Sequence, residues 1–150
     1  MSTFAERINK SIKEAMKAKD KDRLTTLRDI KSKLLLEATS GSGSEVSDEI
    51  ANRICLKLHK QRKETYILYR DQGREDLAAE ELIQANIIEE FLPELLSEDE
   101  IREEVLKCIQ HLGAQGMSDM GKVMGFLSKS LAGRADGRVI SKLVREELSG

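Results

Sequence analysis

The stretch Phe91-Leu92-Pro93-Glu94-Leu95-Leu96-Ser97-Glu98-Asp99-Glu100 decides how this chain is organised. Pro93 is the only proline in 150 residues. Its fixed φ and missing N–H stop a helix arriving from the N-terminal side. Ser97, with Glu100 three positions on, has the spacing of a capping box that starts a new helix. A stop followed so closely by a start marks a joint between an N-terminal helical domain, 1–93, and a C-terminal three-helix domain, 94–150. Downstream, apolar residues recur at helical spacing in three short runs. They are about 98–112 (Ile101, Val105, Ile109, Leu112), about 119–131 (Met120, Val123, Met124, Leu127, Leu131) and about 137–148 (Val139, Ile140, Leu143, Val144, Leu148).

Upstream, the same spacing predicts about four helices. Thr3 and Glu6 form a capping box before Phe4, Ile8, Ile12, Ala15 and Met16. Asp20 or Asp22 caps a second helix with Leu24, Leu27, Ile30 or Lys31, Leu34 and Leu35 on one face, ending before the Gly41-Ser42-Gly43-Ser44 loop. Ser44 or Ser47 caps a third with Ile50, Ile54, Leu58, Thr65 and Leu68 inward, ended by Gly73; Arg53, Lys57, Lys60, Lys63 and Arg70 lie on its outer face. A fourth runs from about Glu75 to Leu92, with Leu77, Leu82, Ala85, Ile88 and Leu92 inward.

Composition agrees with an all-α fold. Charged residues make up 35% of the chain and aromatics 3%, the usage of helices rather than strands. The formal charge of −2 hides an asymmetry: residues 75–110 hold twelve acids and two bases, whereas residues 111–150 hold four acids and six bases. Such segregation orients a molecule on a polyanion without making it generically basic. Two isolated cysteines give no disulfide framework, and neither a membrane span nor a secretory signal is visible, so a cytoplasmic protein is expected.

Reactive constellations are thin. Gly116 to Lys122 fits the phosphate-loop spacing, but Val123 stands where a magnesium-binding hydroxyl is needed and no strand precedes it. A Gly-rich turn with Ser118 capping the next helix accounts for the same residues. Cys55 with His59, and Cys108 with His111, each offer two potential ligands where zinc needs three or four, so neither a metal nor another cofactor is expected. No nucleophile and base can be paired from the sequence, and the acidic stretch Glu75 to Glu104 reads as a solvated helix surface.

The last third breaks a local rule twice. Gly121 and Gly125 lie one turn apart inside a helix, each costing about 1 kcal/mol relative to alanine. Either a neighbouring helix packs closely there or a sugar-phosphate backbone approaches, with Lys122 beside the gap. Gly133-Arg134-Ala135-Asp136-Gly137 is a short connector in which Gly133 takes the left-handed conformation and Asp136 caps the final helix. Lys122, Lys129, Arg134, Arg138, Lys142 and Arg145 surround it; the last three, Arg138, Lys142 and Arg145 of the final helix, form one stripe suited to phosphates.

Asp119-Met120-Gly121-Lys122-Val123-Met124-Gly125, Gly133-Arg134-Ala135-Asp136-Gly137 and Val139, Leu143 and Val144 resemble the YqeY-like family, as do Lys60-Gln61-Arg62-Lys63 with Tyr69, Gly73-Arg74-Glu75-Asp76-Leu77 and Phe91-Leu92-Pro93-Glu94. That family is similar to the tail of the B subunit of tRNA-dependent amidotransferases. The resemblance implies a helical bundle followed by a three-helix tail domain, contact with the body of a tRNA, and amidotransferase or aminoacyl-tRNA synthetase components as partners. By association it also implies carbon–nitrogen ligase activity with glutamine as amido donor, although this chain resembles the tail and not the catalytic cradle. Where the amidotransferase tail opens its last helix with Asn-Pro, this chain has Asp136-Gly137, which keeps a capping side chain and loses the proline's stiffening; because the Asp136 carboxylate beside a phosphate is unfavourable, RNA would pass on the Arg134 and Arg138 side. The readings set against a tRNA-binding accessory module are an amidotransferase-type enzyme, a helix-turn-helix DNA binder and a protein–protein adaptor.

Overall fold

Short helix-start signals set the frame of the computed structural model, which describes residues 3–40 and 46–149. α1 (Phe4–Ala18) begins at a complete Thr3/Glu6 capping box and ends at Lys19 in the left-handed region, φ 56°. α2 (Lys21–Ser40) is capped by Asp20, whose Oδ1 accepts the Arg23 N–H at 3.1 Å. α3 (Asp48–Asp71) is capped by the Ser47 hydroxyl. The alternative cap Ser44 and the Gly41-Ser42-Gly43-Ser44 loop lie outside the described residues. α4 (Glu75–Glu89) follows Gly73, whose φ of 73° makes the turn between the two helices. All described regular structure is helical, and none of these helices is long and apolar enough to cross a membrane.

The chain divides into two compact units, Met1–Leu92 and Pro93–Gly150. In the first, α3 and α4 form an antiparallel hairpin, and α2 packs on both helices and on α1. Leu27, Ile30, Cys55 and Ile88 are fully buried at its centre. Each large aliphatic side chain removed from water there contributes about 1.5–3 kcal/mol. Phe4 of α1 packs at a tilt of 55° against Phe91, just beyond α4, with centroids 6.2 Å apart, and the Arg7 guanidinium covers both rings.

Several expected inward residues face outward instead. On α3 the buried line is Ala51, Cys55 and Leu58, while Ile50 and Leu68 are exposed. Leu58 is buried and Ile54 packs on the core as expected, so the inward face is shifted only at the N-terminal half of α3, where the small residues Ala51 and Cys55 take the buried positions in place of Ile50. Leu35 and Met16 are likewise exposed. α4 ends at Glu89 rather than running to Leu92, because its final carbonyls already accept the N–H groups of Glu90, Phe91 and Leu92 in a tightened turn ahead of Pro93.

The second unit holds α5 (Glu98–Leu112), a one-turn 3-10 segment (Met117–Asp119), α6 (Met120–Ser130) and α7 (Gly137–Ser149), with the three α-helices packed on one another. Ser97 and Glu100 complete the second capping box, and Gly113 closes α5 at φ 66°. Val105, Val123, Leu127, Leu143 and Val144 meet in a closed core. Arg102 of α5 reaches Glu147 at 2.8 Å and Glu146 at 3.1 Å, tying α5 to the last turns of α7.

Candidate nucleic-acid interface

α6 buries Val123 and Leu127 and presents Gly121, Lys122, Gly125, Phe126 and Lys129 on the opposite, exposed side. Lys122 and Lys129 are seven residues apart and so return to within about 20° of each other around the axis, with Gly125 and Phe126 between them. The helix start differs from expectation. Ser118 does not cap it; the first helical residue follows Asp119, which makes no side-chain cap bond and instead accepts the Gln115 N–H at 2.9 Å through Oδ2. The segment before the phosphate-loop-like spacing is α5, a helix, so that spacing lacks the strand that would make it a nucleotide cradle.

The two glycines are open. A β-carbon on Gly121 or Gly125 would meet no other part of the described chain within 4 Å. Within this unit α5 and α7 cover the Val123 and Leu127 side, so neither packs on the glycine side. The glycines' cost in helix propensity, about 1 kcal/mol for Gly125 in the helix interior and less for Gly121 in the first turn, is therefore not offset by packing within the unit.

α7 carries its three cations as one exposed stripe. Ile140, Leu143 and Val144 face the core, leaving Arg138, Lys142 and Arg145 on the far side. Asp136 caps the helix by accepting the Arg138 N–H at 3.0 Å, and Gly133 has φ 78° in the connector. Among the described residues Lys122, Lys129, Arg138 and Arg145 form no ion pair with a carboxylate; Arg145 donates to the Ser141 hydroxyl at 3.2 Å. Lys142 is weakly engaged, its Nζ 3.7 Å from Glu98 with both side chains exposed, a pair worth little in water.

Arg134 stands apart from the stripe. Its Nε donates to the Glu94 carbonyl at 3.1 Å, and its own carbonyl accepts the Leu96 N–H at 2.9 Å. The connector between α6 and α7 thus holds the segment leading into α5. The Glu100 carboxyl is held below its ordinary range, first by the Ser97 backbone N–H and least by the charge of Arg134. Arg134 is therefore a structural tie through its Nε and its carbonyl, and the cations of α6 and α7 without a carboxylate partner among the described residues are Lys122, Lys129, Arg138 and Arg145.

Both cysteines are buried free thiols. Burial pushes the Cys55 thiol up to about 12 and raises Cys108, whose Sγ lies 4.0 Å from the Val123 carbonyl. His59 Nε2 lies 3.6 Å from Glu89, and the His111 ring packs on Phe126 with centroids 6.1 Å apart and planes at 47°. Among the described residues no group of three or more His, Cys, Asp or Glu is placed to hold a metal ion. Phe126 is the surface residue that periodicity passed over. The signal is its position one residue before Leu127, off the apolar spacing that the core of α6 uses.

A family model described as Yqey-like protein matches residues 5–148. The chain is 29% identical over 143 residues to "Altered inheritance of mitochondria protein 41, mitochondrial" of Pyrenophora tritici-repentis, covering 93% of this chain and 78% of that protein. It is 41% identical over 68 residues to a glutamyl-tRNA(Gln) amidotransferase subunit of Thermococcus gammatolerans, a match that spans 43% of this chain but only 11% of that protein. With nearly its whole length matched by one family model, this chain belongs to the Yqey-like protein family.

Proposed function

We propose that this chain is a tRNA-associated accessory module for glutamine-dependent amide transfer, in which the second unit acts as a self-folding tail-like domain, 94–150. Lys122, Lys129, Arg138, Lys142 and Arg145 contact backbone phosphates, with Arg134 holding the connector that presents them. The observation that carries this reading is the exposed glycine side of α6, where unpaired lysines flank a helix surface left bare at a cost in stability. The 68-residue similarity to part of a tRNA-dependent amidotransferase supports the same setting and makes amidotransferase or aminoacyl-tRNA synthetase components the expected protein partners. The chemistry then resides in those partners. The buried thiols fit a reducing compartment, taken here as the cytoplasm, with the mitochondrion as the alternative that localisation of the tagged chain would reveal.

Binding of unmodified tRNA at two salt concentrations tests the reading. Affinity is expected to fall steeply with salt, with a log–log slope of roughly 0.7–0.9 per phosphate contacted. Arg138→Ala with Arg145→Ala should reduce both affinity and that slope. Absence of binding at low salt, or unchanged affinity in the double variant, refutes it.

A further inference from the structure

The apolar positions that build the core side of α6 are Met120, Val123, Met124 and Leu127. Phe126 is not among them. It remains 46% exposed in a chain with three phenylalanines, although a surface helix position is better served by alanine or lysine. Lys122 stands one turn before it and Lys129 one turn after it, both exposed. On its flank, Gly125 and Gly121 leave the helix backbone bare, so a flat group laid over the phenyl ring can overhang that side without meeting a side chain. The tilted His111 ring packs against Phe126 and restrains its orientation.

From this juxtaposition we infer that Phe126 is a stacking platform for an unpaired nucleobase of RNA, with Lys122 and Lys129 holding the phosphates on either side of that nucleotide. The inference rests on the RNA-binding reading above and adds to it a preference for unpaired over fully paired RNA. The physical basis is that every base offers a π-face to an aromatic ring, whereas a base inside a duplex does not expose one. The two lysines supply the charge complementarity that a plain apolar surface would lack. A protein helix lying on the glycines would use the same open space, and the test separates it.

The full chain is titrated with two probes matched in phosphate number, a single-stranded oligoribonucleotide containing 2-aminopurine and a fully paired RNA duplex. Wild type is expected to prefer the single strand and to quench the 2-aminopurine emission on binding. Phe126→Leu keeps the apolar bulk and removes the π-face; it should lower single-strand affinity about tenfold, change duplex affinity less than about twofold and abolish the quenching. Phe126→Tyr should retain both properties. Lys122→Ala with Lys129→Ala should weaken both probes and flatten the salt slope by roughly 1.4, two contacts on a single strand. If Phe126→Leu affects both probes equally or neither, the stacking site is refuted while RNA binding stands. If neither probe binds at low salt, the underlying RNA reading fails and this inference with it. If Phe126→Leu instead abolishes self-association in sedimentation and leaves RNA binding intact, the surface is a protein interface and the inference is overturned.

Discussion

Replacing Gly125 by alanine should make the protein more stable and a poorer RNA binder at once. Gly125 lies well inside α6, where glycine is less favourable than alanine by about 0.8–1.0 kcal/mol. A β-carbon there meets nothing within 4 Å, so no steric term subtracts from the gain. Gly121 stands in the first turn, where the gain is smaller, about 0.5 kcal/mol. The double variant is thus expected to gain about 1.5 kcal/mol in all. For a unit of this size that raises the melting temperature by about 4–8 °C per kcal/mol if the unit melts on its own. Thermal melting by circular dichroism, with urea titration to verify that the midpoint rises at constant slope, reads this directly. Gly113→Ala is the control of opposite sign, because φ 66° forces a β-carbon into the left-handed region at a cost of about 1–2 kcal/mol. In parallel, tRNA affinity should fall in the Gly121/Gly125 double variant although no charge has changed. A double variant no more stable than wild type would show that something does occupy the glycine side. One that is more stable and binds tRNA unchanged would show that the open side is not where RNA approaches.

Ser97→Ala removes one half of the capping box at the start of α5 and should cost about 1 kcal/mol, seen as a lower urea midpoint for the second unit. Cys55 should resist alkylation at pH 8 in the folded protein and react once denatured, since its thiol is buried and pushed up to about 12. Because its folded pKa lies above the unfolded value of about 8.5, its contribution to stability is complete below that value. Stability should then fall as pH rises from there towards 12, and Cys55→Ser, whose hydroxyl does not titrate in this range, should flatten that alkaline decline in pH-dependent melting.

The helical frame was legible because its signals are local. Thr3 with Glu6, Ser97 with Glu100, and Gly73 each decide a helix end through atoms a few residues away. The inward face of α3 was less legible because Ala51 and Cys55 are weak hydrophobic signals beside Ile50 and Leu68, and which of them is buried depends on helices distant in sequence. The cationic stripe of α7 could be read from spacing alone, since positions 138, 142 and 145 share a face in any helix. The role of Arg134 could not, because its partners Glu94 and Leu96 lie about forty residues away in sequence. The openness of Gly121 and Gly125 was invisible for the same reason: a glycine's environment is set by what the rest of the chain places next to it, and among the described residues nothing comes within 4 Å of a β-carbon there.

The tie between Arg134 and the Glu94–Leu96 segment bears on where this molecule can be cut. A truncation beginning at Ser97 would retain all three terminal helices, yet it would strip the Arg134 carbonyl of the Leu96 amide and the guanidinium of its carbonyl acceptor, and would uncover the core edge that Leu96 lines. Any shortened version meant for crystallisation or isotope labelling should therefore begin upstream of Glu94, and a protease trimming the joint should stall before reaching it.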